Sequence, residues 1–323
     1  MSPPFVERTR HINMTNFVEY FLKQPLWVKC ILSLTLIASI SACNSESNDI
    51  STPSDLNTNF PVRIIDSNGT EVIFHEPPSR ILAYDSVTVE ILYALGEEAR
   101  IAGVHNFVTY PEAAKNLPKM GDYYQPNNER ILEIQPDLVS VWYASSLPEL
   151  KKLELKTLYL AEPKTISEIP DRIRTWGKIT GKTANAEIEA DKFQKKLQKM
   201  IDLFEHLEDG PSLFHDSSDL WTAGPNTLVG QIYSLLKVNN IAHDISGYLQ
   251  MSLETLVERN PDIIVTTFPD QAQEMLKHPA MQSVSAIKQK KVISIEAGLI
   301  SVAGPRYIEA IEHLAKLIYP NLF

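Results

Sequence analysis

The sequence predicts two α/β lobes, each built on a doubly wound parallel sheet, joined by a single long helix. Three observations predict it. Short apolar strands alternate with helical stretches in both halves of the chain. One long amphipathic helix lies between the halves, and an 11-residue pattern occurs once in each half. Strands separated by helices favour parallel pairing, because parallel neighbours need a crossover connection.

The first lobe opens with a hairpin. Val62-Arg63-Ile64-Ile65 and Thr70-Glu71-Val72-Ile73-Phe74 flank Asp66-Ser67-Asn68-Gly69, and Asn-Gly is the turn that suits two antiparallel strands. Arg80 to Ala83 reads as a strand, Val87 to Leu95 as a helix stopped by Gly96, and Ile101 to Val104 as the next strand. Leu138 to Trp142 and Thr157 to Leu160 complete the set. In the second lobe Ser212 to Phe214, Ile263 to Thr266 and Val292 to Ile295 are the strands.

Between the lobes, Ile169 to Ile179 forms one helix that ends near Gly181. A second runs from about Ala184 to Leu207. Ala186, Ala190, Phe193, Leu197, Met200 and Phe204 recur at 4-3-4-3-4 spacing, so one stripe of it is apolar. At 1.5 Å per residue it spans about 36 Å, enough to connect two lobes.

The repeat aligns Glu129 to Val139 with Glu254 to Ile264. Both glutamates, the Pro, the Asp and the apolar positions fall at identical offsets. Its logic is a short helix, a Pro-Asp stop and a buried strand. Asn127 and Ser252 precede the two copies at equivalent positions, and both residue types cap helix N-termini. Glu129 and Glu254 then sit in a first helical turn, where the helix dipole alone already favours a negative charge.

The chain has 323 residues, 44% of them hydrophobic, and a formal net charge of −10. That suits a globular protein with a sizeable core and argues against nucleic acid, which needs clustered Lys and Arg. Near the N-terminus, Lys23 and Lys29 precede an apolar run from Cys30 to Ala42. It is too short for a membrane-spanning helix, which needs about 20 residues, and fits a secretory signal. The run ends Ile40-Ser41-Ala42-Cys43, which is similar to a bacterial lipobox, so Cys43 is expected to be lipidated and residues 1–43 to be the signal segment. An uncleaved signal anchor is the alternative. Pro3 and Pro4 are unusual ahead of a signal, which makes Met14 a candidate start. Of the two cysteines, Cys30 would leave with the signal, so no internal disulfide is expected. Residues 44–60 are rich in Ser, Asn, Asp and Thr and read as a tether.

No catalytic constellation emerges. Gly177-Lys178-Ile179-Thr180-Gly181-Lys182-Thr183 imitates a phosphate-binding loop, but Trp176 stands where such a loop needs its first glycine, and the segment ends a helix. The eight histidines (11, 75, 105, 206, 215, 243, 278 and 313) form no close pair of metal-ligand spacing. Neither a G-x-S-x-G elbow nor a dinucleotide-binding glycine fingerprint is present.

Several segments carry a resemblance: Pro78 to Ala83, Val89 to Gly96, Gly121 to Val139, Leu220 to Gly224, Met251 to Glu254 and Gly304-Pro305-Arg306. In order, from about Arg63 to the C-terminus, the chain resembles the substrate-binding proteins of ABC importers for iron-siderophores, haem and cobalamin. The resemblance implies two Rossmann-like lobes (61–166 and 209–323), a helical connection (167–208) and a ligand cleft between the lobes. It implies that Glu129 and Glu254, one per lobe, dock on arginines of the permease. It places Asp85, Ser86, Phe107, Tyr123, Tyr124, Trp221, Tyr248 and the segment Gly298 to Arg306 in the cleft, where Tyr and Trp give wide contact to a large flat ligand. Tyr123 and Tyr124 are adjacent, so in extended backbone only one faces the ligand. Arg306 either reaches the cleft or caps the helix that follows. No catalytic residue, metal site or cofactor is expected apart from the ligand, which is a ferric chelate, haem or cobalamin. Haem would want an axial His or Tyr, for which His105 and Tyr123 are candidates. A charged siderophore would want several arginines, and few are in reach. The aromatic inventory suits a corrinoid. The expected partners are the permease and ATPase and, through the lipid, the membrane; the protein is expected to be a monomer. A metal chelatase of related architecture and a surface ligand sensor are the alternatives.

Overall fold

The structure, a computed structural model, describes residues 59–122 and 125–323. The signal segment, Cys43, residues 44–58 of the tether, Tyr123 and Tyr124 lie outside the described residues. Phe60, at the end of the expected tether, already packs against the core and lies 3.7 Å from where a side chain on Gly181 would begin.

The hairpin forms as its turn chemistry demands. Strands β1 (Val62–Ile65) and β2 (Glu71–Phe74) pair antiparallel. Asp66 accepts from the backbone N–H groups of Asn68 and Thr70 at 2.8 Å each, and Gly69 supplies the positive φ of +80°. The first lobe continues through β3 (Ile81–Ala83), helix α1 (Ser86–Ala94), β4 (Ile101–Val104), α2 (Asn128–Glu133), β5 (Leu138–Val141), α3 (Leu147–Lys152) and β6 (Thr157–Tyr159). Its sheet is parallel, in the order β4-β3-β5-β6.

Two helices follow, α4 (Ile169–Thr180) and α5 (Thr183–Phe204). All six residues of the predicted stripe on α5 are buried. The helix ends three residues before the predicted Leu207, because Glu205 and His206 form a turn ahead of Asp209-Gly210-Pro211. Its 22 residues span about 33 Å. It packs on α4 and on two second-lobe helices. The imitation phosphate loop is a helix-helix junction. Gly181 closes α4 in the left-handed conformation, and a side chain on Gly177 would strike Ala186 Cβ at 2.2 Å. Gly177 is there for close helix packing.

The second lobe comprises β7 (Ser212–Asp216), β8 (Trp221–Ala223), α6 (Leu228–Leu235), β9 (Asn239–Asn240), β10 (Tyr248–Gln250), α7 (Leu253–Arg259), β11 (Ile263–Thr266), α8 (Pro269–Lys277), α9 (Ser285–Lys288), β12 (Val292–Ser294), α10 (Ala297–Ser301) and α11 (Tyr307–Ile318). Its parallel sheet has the order β12-β11-β7-β9. Substituting β7 for β3, β9 for β4, β11 for β5 and β12 for β6 gives the order of the first lobe, so the two sheets share one topology. The predicted strands all form within one or two residues of their expected ends. The short pair β8 and β10, antiparallel and outside the main sheet, is an addition the alternation pattern does not announce.

The repeat has a structural reason. The helix of each copy is followed by a residue with left-handed backbone, Gln135 (φ 46°) and Asn260 (φ 43°), 125 positions apart. Two residues on, Asp137 accepts from Ser79 N at 2.6 Å, Ser79 Oγ at 2.8 Å and Arg80 N at 3.0 Å. Asp262 accepts from Ser212 N at 3.0 Å and Ser212 Oγ at 2.7 Å. Each Asp thus ties the start of one central strand to the start of its neighbour, with charge-assisted hydrogen bonds.

Both sheets are covered on two faces. Ile81, Ala83, Leu213 and Val265 point into one core that also takes the α5 stripe, while Leu82 and Val139, or Phe214 and Ile264, point into a separate outer cluster in each lobe. Alternation of strand side chains produces that division. Among the described residues no helix is long and apolar enough to cross a membrane.

Candidate functional site

The carboxyl ends of the strands in both sheets open on one cleft. Two adjoining cavities of about 500 Å³ and 540 Å³ share Trp142, Glu162, Phe268, Ala297 and Ser301. Crevices beyond the strand ends are where open α/β sheets bind ligands. The first cavity lies mainly on the first lobe, against Ser86, His105, Phe107 and Tyr110; the second lies mainly on the second lobe, against His215, Ser217, Trp221 and Tyr248.

The expected residues divide by what they do there. Phe107, Trp221 and Tyr248 line the cleft and are 62%, 45% and 50% exposed, so apolar surface faces open space. Trp221 and Tyr248 are held by the β8/β10 ribbon, in which Trp221 pairs with Gln250 and Tyr248 with Ala223. Asp85 reaches the cavity wall, but its buried carboxylate is occupied. It accepts from Thr88 N at 2.6 Å, Thr88 Oγ1 at 2.8 Å and Ser140 Oγ at 2.8 Å, capping α1 and fixing it to β5. Burial raises its pKa against these opposing hydrogen bonds. Ser86 faces the cleft and meets His105 Nε2 at 3.0 Å. Gly298, Ser301, Val302 and Arg306 line the first cavity.

Arg306 precedes α11 but makes no side-chain cap to it. Its guanidinium crosses to the first lobe and donates to Glu90 Oε1 from Nη2 at 2.9 Å, and from Nε at 3.3 Å. It also stacks on the Tyr110 ring, 3.2 Å from the centroid. The Glu90 side chain is 3% exposed, and its second oxygen has no hydrogen-bond partner. Burial outweighs the Arg306 charge and pushes the Glu90 carboxyl up to about 7. Gly304 makes room for this pair: a Cβ there would lie 2.9 Å from Glu90 Oε2.

His105 is a poor axial ligand. Phe107 N–H donates to its Nδ1 at 3.1 Å, and its Nε2 is engaged with Ser86, so neither ring nitrogen offers a lone pair to the cleft. Burial and the nearby Lys119 hold its pKa down to about 4.

Sequence reasoning missed Tyr110, Trp142, Tyr143, Phe268 and Glu90. A signal existed for two of them. Tyr143 and Phe268 follow the third strand of each lobe at the 125-residue offset of the repeat, and both are largely exposed at the cleft. Trp142 packs against Tyr143 with ring centroids 4.3 Å apart and planes tilted by 56°.

Glu129 and Glu254 lie away from the cleft. Asn127 caps α2 by accepting from Arg130 N at 3.1 Å, and Ser252 caps α7 by accepting from Thr255 N at 3.1 Å. Both glutamates stand exposed in the first helical turn.

The comparisons with known proteins agree with this architecture. The chain belongs to the periplasmic binding protein family, whose profile matches residues 81–298. It is 28% identical over 314 residues to YvrC of Bacillus subtilis, an uncharacterized ABC transporter substrate-binding lipoprotein, covering 92% of this chain and 98% of the relative. It is 26% identical over 251 residues to the vitamin B12-binding protein of Vibrio cholerae, covering 74% of this chain and 88% of that protein. Among solved structures, a possible iron-binding (periplasmic solute-binding) protein of Staphylococcus epidermidis matches with a TM-score of 0.65 at 26% identity, over 76% of this chain and 100% of the other. The haem-binding protein RhuT from Roseiflexus shares the fold, with a TM-score of 0.68 at 23% identity over 76% of this chain and 99% of the other.

Proposed function

We propose that this chain is the extracytoplasmic solute-binding component of an ABC importer and that its cleft takes a bulky, flat, nearly neutral ligand of the cobalamin class. One observation carries the ligand reading. Eight Phe, Tyr and Trp side chains (Phe107, Tyr110, Trp142, Tyr143, Trp221, Tyr248, Phe268 and Tyr307) line the two cavities, whereas Arg306 is the one Lys or Arg among their described lining residues. Arg306 is already paired with Glu90. A siderophore with several negative charges would be desolvated there without cations to meet it. For haem, His105 is not available as an axial ligand because both its nitrogens are engaged, which leaves a cleft tyrosine such as Tyr143 or Tyr248 for that role.

Delivery uses a different surface. Glu129 on the 61–166 lobe and Glu254 on the 209–323 lobe each present a carboxylate to permease arginines, and the pair fixes orientation. Lipidation at Cys43, with residues 44–60 as tether, keeps the protein at the membrane. The 167–208 connection joins the two lobes. The relatives this chain resembles are solute-binding proteins, which favours binding without turnover.

Uptake and binding separate these roles. Cells carrying Glu129→Ala with Glu254→Ala should lose import of labelled cobalamin, while the purified variant keeps the thermal upshift that cobalamin gives the parent. Unchanged import would remove the docking role. No upshift with cobalamin, but one with a ferric siderophore, would overturn the ligand assignment.

A further inference from the structure

Each wall of the cleft carries a serine backed by a buried histidine. On the first lobe, Ser86 Oγ lies 3.0 Å from His105 Nε2. On the second, Ser217 Oγ lies 3.1 Å from His215 Nε2. Both serines line the cavities, and both histidines are about 1% exposed.

The direction of each hydrogen bond can be deduced. Phe107 N–H can only donate, and it points at His105 Nδ1. Nδ1 therefore carries no proton, the ring's proton sits on Nε2, and Nε2–H donates to Ser86 Oγ. The second lobe gives the same answer by a different route. Tyr233 is fully buried, and its hydroxyl meets His215 Nδ1 at 2.7 Å, its hydrogen-bond partner among the described residues. If Nδ1 donated, the Tyr233 proton would be left buried without an acceptor, at a cost of about 1–3 kcal/mol. Tyr233 therefore donates, and His215 Nε2–H donates to Ser217 Oγ. Burial keeps both rings neutral, holding each pKa down to about 4. With an oxygen lone pair occupied from behind, each serine has its own proton left over, and neither hydroxyl donates to another described residue.

We propose that Ser86 and Ser217 are a matched pair of hydrogen-bond donors, one on each wall of the cleft, that select a ligand with oxygen acceptors such as amide carbonyls on two opposite edges. His105 and His215 are positioning residues that fix the polarity of the serines and do not themselves touch the ligand. The proposal rests on the reading that the cleft holds a flat ligand spanning both walls. A corrinoid meets its requirement, because amide side chains surround its rim. Haem, with both carboxylates on one edge, satisfies one serine only.

Calorimetric titration of the full chain with cyanocobalamin, haemin and a ferric hydroxamate tests it. Ser86→Ala and Ser217→Ala should each weaken cyanocobalamin binding about three- to tenfold while the variants stay folded, with a lowered melting temperature because each leaves a buried histidine N–H without its acceptor. His105→Phe should weaken binding like Ser86→Ala and add nothing to it in the double variant, whereas His105→Gln, whose amide can both accept and donate, should restore part of the loss. If the parent binds none of the three, the ligand reading falls and takes the proposal with it. If the parent binds cyanocobalamin and both serine variants bind it equally well, the donor proposal alone is wrong. Losses of the same size from the two His105 variants would overturn the positioning role.

Discussion

The two lobes agree in their scaffold and differ in how they meet the ligand. Both use one strand order, one Asp that ties neighbouring strand starts (Asp137, Asp262) and one left-handed residue before it (Gln135, Asn260). Both also present an aromatic after the third strand, Tyr143 and Phe268. The first lobe then adds Phe107 and Tyr110 from the loop after β4, whereas the second adds Trp221 and Tyr248 from the β8/β10 ribbon. The lesson is a separation of duties. What recurs in both lobes holds the sheets, presents the exposed glutamates and gives each wall one aromatic and one Ser–His pair, and what does not recur adds the other aromatics of the ligand site.

The largest effect should come from the contact that couples the unlike halves. Replacing Arg306 with Met leaves Glu90 buried without its cation, which should cost about 3–5 kcal/mol at pH 8 by chemical denaturation. The cost should shrink at pH 5, where Glu90 can take up a proton.

Glu90→Gln tests the same pair from the other side. The folded carboxyl titrates near 7 against 4.5 for an ordinary Glu, so the folded state holds the extra proton between those values. Stability of the parent should therefore fall as pH rises from 4.5 to 7, by about 3 kcal/mol from this group, and the penalty is complete above 7. In Glu90→Gln that fall should vanish. A variant whose pH profile matches the parent's would show that Glu90 is not the group responsible.

Next come the aromatics. Trp221→Ala on the second wall and Trp142→Ala on the first should each weaken ligand binding by about 2 kcal/mol, roughly thirtyfold, with little change in melting temperature. A loss confined to one wall would mean that the ligand is held by one lobe and not bracketed.

The smallest effects should sit in the repeated scaffold. Asp262→Ala and Asp137→Ala each remove charge-assisted hydrogen bonds and should cost about 1–2 kcal/mol, more for half-buried Asp262 than for exposed Asp137, with ligand affinity retained.

What the sequence reveals follows the same divide. Strand and helix periodicity exposes α5 and both sheets apart from β9, whose two asparagines carry no apolar run, because burial on two faces leaves runs such as Ile263 to Thr266 without a polar residue until the end. The repeat exposes the equivalence of the lobes. The β8/β10 ribbon stays hidden because Tyr248, Leu249 and Gln250 are all exposed and show no alternation. Trp142 stays hidden because an aromatic after Leu138 to Val141 continues the strand pattern. The Glu90–Arg306 pair joins residues 216 positions apart on different lobes, and no local pattern records such a contact.

The central claim is that an aromatic, cation-poor cleft takes a flat and nearly neutral ligand. Native mass spectrometry of the protein purified from its host envelope tests that most directly. The expected result is a single bound molecule with the mass and visible absorption of a corrinoid, released on denaturation. A bound iron chelate carrying several negative charges would contradict it.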